Sequence, residues 1–264
     1  GGGTGSGMSG LITEMLCDMY DDKVIAPIVF MPDSDESPRA IMNALEAFAE
    51  LSSHEETGAV FAIDNKKIFD LTDGETLKQK YEIARLELLM LLDLFNKRTE
   101  ESSEFSNFDE MDLLTVLSER GVAMVSSLGV GEEHIKNHEK LAERMMNSWK
   151  KSVFADTDMK QIARSALILD TPPELTQQLK LDTAFHSIGR PLEIFTGIFK
   201  SHDAKLHTLI TGLPYPHSLL KDLEENVEKN EKRLTENLDK VRTQSFAAKS
   251  CWTVSLKRKR KIKV

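Results

Sequence analysis

At 264 residues, the chain has the length for one large domain or two smaller ones, with room for a sizeable core. Its 40% hydrophobic and 29% charged residues describe an ordinary globular protein, and a net charge of −9 argues against nucleic-acid binding through its body. The two cysteines, Cys17 and Cys251, lie too far apart to suggest a disulfide scaffold and fit a reducing cytoplasm, and no apolar run is long enough to span a membrane.

The chain opens Gly1-Gly2-Gly3-Thr4-Gly5-Ser6-Gly7. Glycine tolerates positive φ and lets backbone approach a ligand, so a run like this ahead of a helix predicts a nest of N–H groups, from Gly2 to Gly7, around a phosphate. A flexible linker has the same composition. Leu11, Ile12, Met15, Leu16 and Met19 then recur at helical spacing over 9–21. The unbroken apolar run 23–31 reads as a strand buried on both faces, 32–38 as a loop, 39–51 as a helix and 59–63 as a second buried strand. That alternation predicts a doubly wound α/β sheet.

Residues 75–97 contain neither Gly nor Pro, and Leu86, Leu88, Leu89, Met90, Leu91, Leu92, Leu94 and Phe95 are apolar around the whole circumference. The expectation is a central helix buried on all sides, followed by a polar loop over 100–107. Helices are expected at 111–119 and 131–148, strands at 165–170, 192–199 and 206–213, and a helix at 175–181. This second half reads as a smaller α+β domain. A charged helix over 217–242 carries a narrow stripe of Leu220, Leu223, Val227, Leu234, Leu238 and Val241, fit to seat on its own chain or on another subunit. The end is basic: Lys257, Arg258, Lys259, Arg260, Lys261 and Lys263 stand within seven positions. A run of this kind contacts an acidic partner or nucleic acid, or is a solvated end.

Two patterns compete for the glycine turn. Gly5-x-Gly7-x-x-Gly10 with Asp33 after the next strand matches a dinucleotide fingerprint. The other pattern adds Asn107-x-Asp109-x-x-Asp112 directly after the apolar helix. Asp109 and Asp112 stand three apart at a helix start, which suits capping and also projects two carboxylates from one face.

The pairing of G-G-G-T-G-S-G with N-x-D-x-x-D, a long buried helix between them and Gly121-Val122-Ala123-Met124 beyond, resembles the tubulin/FtsZ family over residues 1 to about 146. The dinucleotide fingerprint predicts neither the acid loop nor the Gly121 segment. The resemblance implies a GTPase that polymerises head to tail, with GTP and Mg²⁺ in one subunit's pocket and Asn107, Asp109 and Asp112 supplied by the next. By position, Glu36 matches an acid that contacts the ribose, Arg39 lies one place from its basic partner, and Asn65 matches a nucleotide contact. Tyr81 matches the aromatic residue stacked on the base, or else fills core. Arg85 stands where the family reads guanine with Asn.

The implied layout is a nucleotide-binding part with the central helix over 1–98, a catalytic loop and α+β domain over 99–215, a long helix over 216–246 and a basic tail over 247–264. Because the chain starts inside the glycine motif, with no Met and no preceding strand, an N-terminal part is expected to be missing. The long final helix with a basic tail is most similar to the TubZ group of plasmid and phage segregation GTPases, which implies a cytoplasmic filament whose tail engages a DNA-bound adaptor. A filament or tethering scaffold that does not hydrolyse is the alternative.

Overall fold

Two sheets share one core in the computed structural model, which describes residues 2–71, 76–173, 181–233 and 235–237. The first is a parallel pair, β1 (Ile28–Met31) with β2 (Phe61–Asp64), in register from Ile28↔Phe61 to Met31↔Asp64. The second has four strands in the order β3-β6-β4-β5: Val122–Gly129, Lys205–Leu213, Arg164–Thr171 and Glu193–Lys200. Within it β4 and β5 are parallel, and β6 runs antiparallel to both β3 and β4. A bridge at Val60↔Val122 ties the sheets together, and one at Ile63↔Phe154 ties β2 to the segment after residue 150.

The helices are α1 (Gly3–Met19), α2 (Pro38–Ser53), α3 (Asn65–Leu71), α4 (Leu77–Glu100), α5 (Glu110–Leu117), α6 (Glu132–Lys136), α7 (His138–Lys150) and a last helix, α8, over 217–233. This is the expected mixed α/β plan, with a central helix leading into a smaller α+β unit. The core runs continuously from Phe61, Ile63 and Phe95 through Phe108 and Met124 to Trp149 and Phe185. Trp149 donates its indole N–H to Thr208 Oγ1 at 2.8 Å, which satisfies its polar end inside the core.

Several elements depart from the sequence reading. The central helix α4 is not buried all round: Leu88 and Phe95 are interior, whereas Leu89 and Met90 are 51% and 70% exposed. Among the described residues the sheets cover only one side of it. The same holds for β1, whose Ile28 and Phe30 face outward. In α1 the apolar stripe of Met8, Leu11, Met15 and Met19 is exposed, and the small face of Gly10, Thr13 and Cys17 is the packed one. A Cβ on Gly10 would stand 2.0 Å from the carboxyl group of Glu50, the far end of an exposed side chain that reaches across from α2 to α1.

The helix expected over 131–148 is broken at Asn137, whose Oδ1 accepts from Glu139 N and Lys140 N and starts α7 afresh. Strand β3 and helix α3 were not anticipated. Gly121 precedes β3 at φ +105°, where a Cβ would lie 2.6 Å from Leu213 O, so this entry into the sheet requires glycine. The helix expected at 175–181 falls mainly outside the described residues. The α8 stripe seats on its own chain: Leu223 is buried, Tyr215 donates to Ser52 O at 3.0 Å, and its ring meets Phe48 edge-on at 5.7 Å. Its continuation through Leu234, Leu238 and Val241 is outside the described residues.

Candidate functional site

The glycine turn forms the first turn of α1. Gly2 is the N-cap, and from Ser6 onward the N–H groups enter the helix, beginning with Ser6 N to Gly2 O at 3.0 Å. No described glycine of the run has a positive φ. The expected nest over Gly2 to Gly7 is thus corrected to the bare N-terminus of a helix, where the N–H groups of Gly3, Thr4 and Gly5 have no intrahelical partner. A Cβ added at Gly2, Gly3, Gly5 or Gly7 would meet no atom within 4 Å. Internal packing therefore does not require these glycines; what they leave is open space above donors at the positive end of a helix dipole. The first turn holds no acid to fill it. Gly1 lies outside the described residues.

Helix α1 runs beside α2 in the same sense, with Gly10 against Glu50 and Cys17 near His54. Both helices therefore start toward the edge where the parallel strands β1 and β2 end. Ligands in α/β sheets collect at that edge. There Glu36 accepts from Asn65 Nδ2 at 3.3 Å and from Asp33 N at 3.2 Å. Ser37 caps α2 by accepting from Ala40 N, and Pro38 follows, which fixes the turn that presents Glu36. Asn65 Oδ1 is buried without a partner, an acceptor that a ligand's hydroxyl or amino group would satisfy.

Tyr81 meets Phe69 edge-on at 5.8 Å, and burial, then the Glu36 and Asp33 carboxylates, push its phenol above the usual range. The structure thus brings Glu36, Asn65 and Tyr81 together. Arg39 is exposed in the first turn of α2.

The acids stand at the other end of α4. Its 24 residues extend about 36 Å at the usual rise per residue, and Tyr81 lies near its start. Asp109 is the N-cap of α5 and Asp112 its third residue; each accepts the other's backbone N–H, at 2.9 and 3.1 Å. Capping engages one oxygen of each carboxylate and leaves the other to solvent. Asn107 Oδ1 accepts from Ser103 N at 2.6 Å. The hydrogen bonds of both acids run to each other, at the start of α5, and not to the glycine turn.

Several residues that the sequence reading missed hold this loop. Ser106 Oγ donates to Thr196 O at 2.7 Å, Ile198 N donates to Ser106 O at 3.0 Å, and Ser103 Oγ bonds Ile198 O, so the loop pairs with β5. Phe108 is buried against Phe95. Arg164 reaches Glu119, Glu193 and Thr115 O, fastening α5 to β4 and β5. Arg98, in the last turn of α4, bonds Asp170 Oδ1 at 2.8 Å, pairs with Glu101 and lies over the Phe199 ring. Burial pushes Asp170 up, but His207 and Arg98 outweigh it and hold the carboxyl below its ordinary value. His207 Nε2, 3.4 Å from Asp170 Oδ2, is at ion-pair distance, without a well-formed hydrogen bond.

Residues 1–73 match the model described as Tubulin/FtsZ family, GTPase domain. The Tubulin-like protein CetZ of Pyrococcus furiosus is 25% identical over 89% of this chain and 68% of its own length. CetZ of Pyrococcus horikoshii is 23% identical over 81% of this chain and 58% of its own. The fold superposes on TubZ of Bacillus thuringiensis serovar israelensis, solved as a GTPγS-form protofilament, with a TM-score of 0.71 and 17% identity over 89% of this chain and 65% of that one.

The chain has a tubulin/FtsZ-like fold, and its first 73 residues match that family's GTPase domain. CetZ2 of Haloferax volcanii, solved as a GTPγS-bound protofilament, is similar at a TM-score of 0.70 and 17% identity, over 88% of this chain and 69% of that one. The chain spans 58% and 61% of the lengths of the Pyrococcus horikoshii and Pyrococcus abyssi CetZ proteins it matches. No helix among the described residues is long and apolar enough to cross a membrane. The tail residues Lys257, Arg258, Lys259, Arg260, Lys261 and Lys263 lie outside the described residues.

Proposed function

We propose that this tubulin-like chain binds GTP at the start of α1 and hydrolyses it when Asn107, Asp109 and Asp112 of one copy reach the pocket of the next in a head-to-tail filament. The separation of the two halves of the site carries this reading. Tyr81 lies in the second turn of a helix about 36 Å long, and Asp109 and Asp112 follow its other end. A second copy stacked along that axis would bring its acids to the glycine turn of the first. The protofilament arrangement of similar folds supports the same geometry.

Phosphoryl transfer to water needs positioning and charge stabilisation more than covalent help. The free N–H groups of Gly3, Thr4 and Gly5 and the α1 dipole bind phosphate oxygens. Glu36 and Asn65, already hydrogen-bonded, take the ribose side, and Tyr81 offers a ring to the base. Mg²⁺ keeps most of its waters and takes one or two protein oxygens beside phosphates; the hydroxyls of Thr4 and Ser6 are the oxygens at this turn that fit it. When bound it neutralises phosphate charge. The incoming Asp109 and Asp112 use their solvent-facing oxygens to orient the attacking water and accept its proton. Such assistance is worth ~10²–10⁴-fold in rate.

Arg85 leaves preference for guanine to other contacts. The basic residues 257–263 provide the means to hold a DNA-bound adaptor, and so to couple a cytoplasmic filament to plasmid or phage DNA. Deleting 257–264 should leave assembly intact and abolish adaptor–DNA capture. The central experiment is turnover by purified protein at rising concentration. The rate per chain should climb steeply as filaments form, and Asp112→Ala should assemble without hydrolysing. A variant that assembles and turns over at the original rate contradicts the reading.

A further inference from the structure

Where α1 and α2 end side by side, Cys17, His54 and Glu56 converge. A cysteine Sγ, an imidazole nitrogen and a carboxylate oxygen lie within 4.8 Å of one another, the one grouping with metal-ligand spacing among the described residues. Cys17 is buried in the last turn of α1, and His54 caps the end of α2. The turn that carries His54 and Glu56 is fixed from below: Thr57, itself buried, donates its hydroxyl to His54 O at 2.9 Å. Next to it, Gly58 N donates to Ile25 O at 2.9 Å.

One feature of the cluster is costly as it stands. His54 Nδ1 is buried with no hydrogen-bond partner, although buried polar atoms are nearly always paired. A cation among the three groups would supply one.

We propose that Cys17, His54 and Glu56 bind a divalent cation of the Zn²⁺ class, joining the last turn of α1 to the end of α2. A thiolate and an imidazole select a borderline or soft metal over Mg²⁺ and Ca²⁺, which prefer oxygen donors. Three protein ligands leave a fourth tetrahedral position for water, and exposed Glu56 opens the site to solvent on that side. On binding, the thiol releases its proton to solvent and Sγ bonds the metal as a bound water departs; no oxidation state changes. The consequence is mechanical. Helix α1 starts at the glycine turn and ends at this site, so the metal anchors the far end of the phosphate-facing helix. The site does not rest on the nucleotide reading.

Co²⁺ titration of purified metal-free protein tests it. One Co²⁺ per chain should bind with sulfur-to-cobalt charge-transfer absorption, and Zn²⁺ should displace it. Cys17→Ser should abolish the absorption and Cys251→Ser should keep it. His54→Ala should weaken Co²⁺ more than ~10-fold, the lower end of what losing even a supporting group around a metal costs. Absence of charge transfer in the unaltered protein overturns the proposal. So does its loss in Cys251→Ser with retention in Cys17→Ser, or unchanged affinity in His54→Ala.

Discussion

Asp109 and Asp112 cap each other: Asp112 N donates to Asp109 Oδ1 at 2.9 Å and Asp109 N to Asp112 Oδ2 at 3.1 Å. The same pair serves two ends, starting α5 and displaying two carboxylate oxygens to solvent. Amide and carboxylate differ in only one of these. Asp112→Asn keeps an oxygen for the Asp109 N–H, so its melting temperature should match that of the unaltered protein. Its GTP turnover in filaments should fall ~10²–10⁴-fold. Asp112→Ala should lose turnover and also about 1 kcal/mol of stability with the cap. Melting curves beside phosphate-release assays separate the two.

At Gly5 stability and binding should move in opposite directions. A Cβ there meets nothing inside the protein, and alanine is the better helix former. Gly5→Ala should therefore raise stability by about 0.5–1 kcal/mol. It should weaken GTP, because the methyl group occupies the space the phosphates need. Denaturant unfolding and equilibrium GTP binding on one preparation check both signs.

Arg98 and Asp170 join the central helix to the four-stranded sheet at 2.8 Å. Asp170 is held below its ordinary value near 3.8, so its contribution is fully present above that pH and is lost as pH falls through the lower folded value. Arg98→Met leaves a buried carboxylate without its guanidinium partner and should cost about 3 kcal/mol near neutral pH. The gap between the two proteins should narrow below pH 3.8 as Asp170 takes up a proton in both. Urea unfolding at neutral and acid pH measures it.

The last helix seats on its own body through Leu223, which is 1% exposed. Leu223→Ala should cost about 2–5 kcal/mol even in protein too dilute to assemble. A stability loss that appears only in filaments would place that stripe at a subunit contact.

The plan of the fold was legible where chemistry and periodicity coincide. The apolar runs 23–31 and 59–63 hold the parallel pair Ile28–Met31 and Phe61–Asp64, and the helix expected from 111 begins at Glu110, with Asp109 of the Asn107-x-Asp109-x-x-Asp112 pattern as its cap. Burial was less legible. The stripe of α1 and the circumference of α4 promised interior faces, because periodicity reports which residues are apolar but not whether a layer stands opposite. The glycine run opens α1 as a helix N-terminus and not as a nest; glycine permits a left-handed nest without imposing one. Of the candidate ligand contacts, Glu36, Asn65 and Tyr81 converge. The anchors Ser103, Ser106 and Arg164 gave no local signal, because their partners lie 29 to 95 residues away.

Mixing two inactive variants tests most directly whether the acids act across copies. Asp112→Asn has an intact phosphate turn and no second carboxylate. Gly5→Asp keeps its acids but places a carboxylate where phosphate binds, at a helix end that tolerates it. Neither should hydrolyse GTP alone, and the mixture should regain turnover as one variant's acids meet the other's nucleotide. A mixture as inactive as its components contradicts the account.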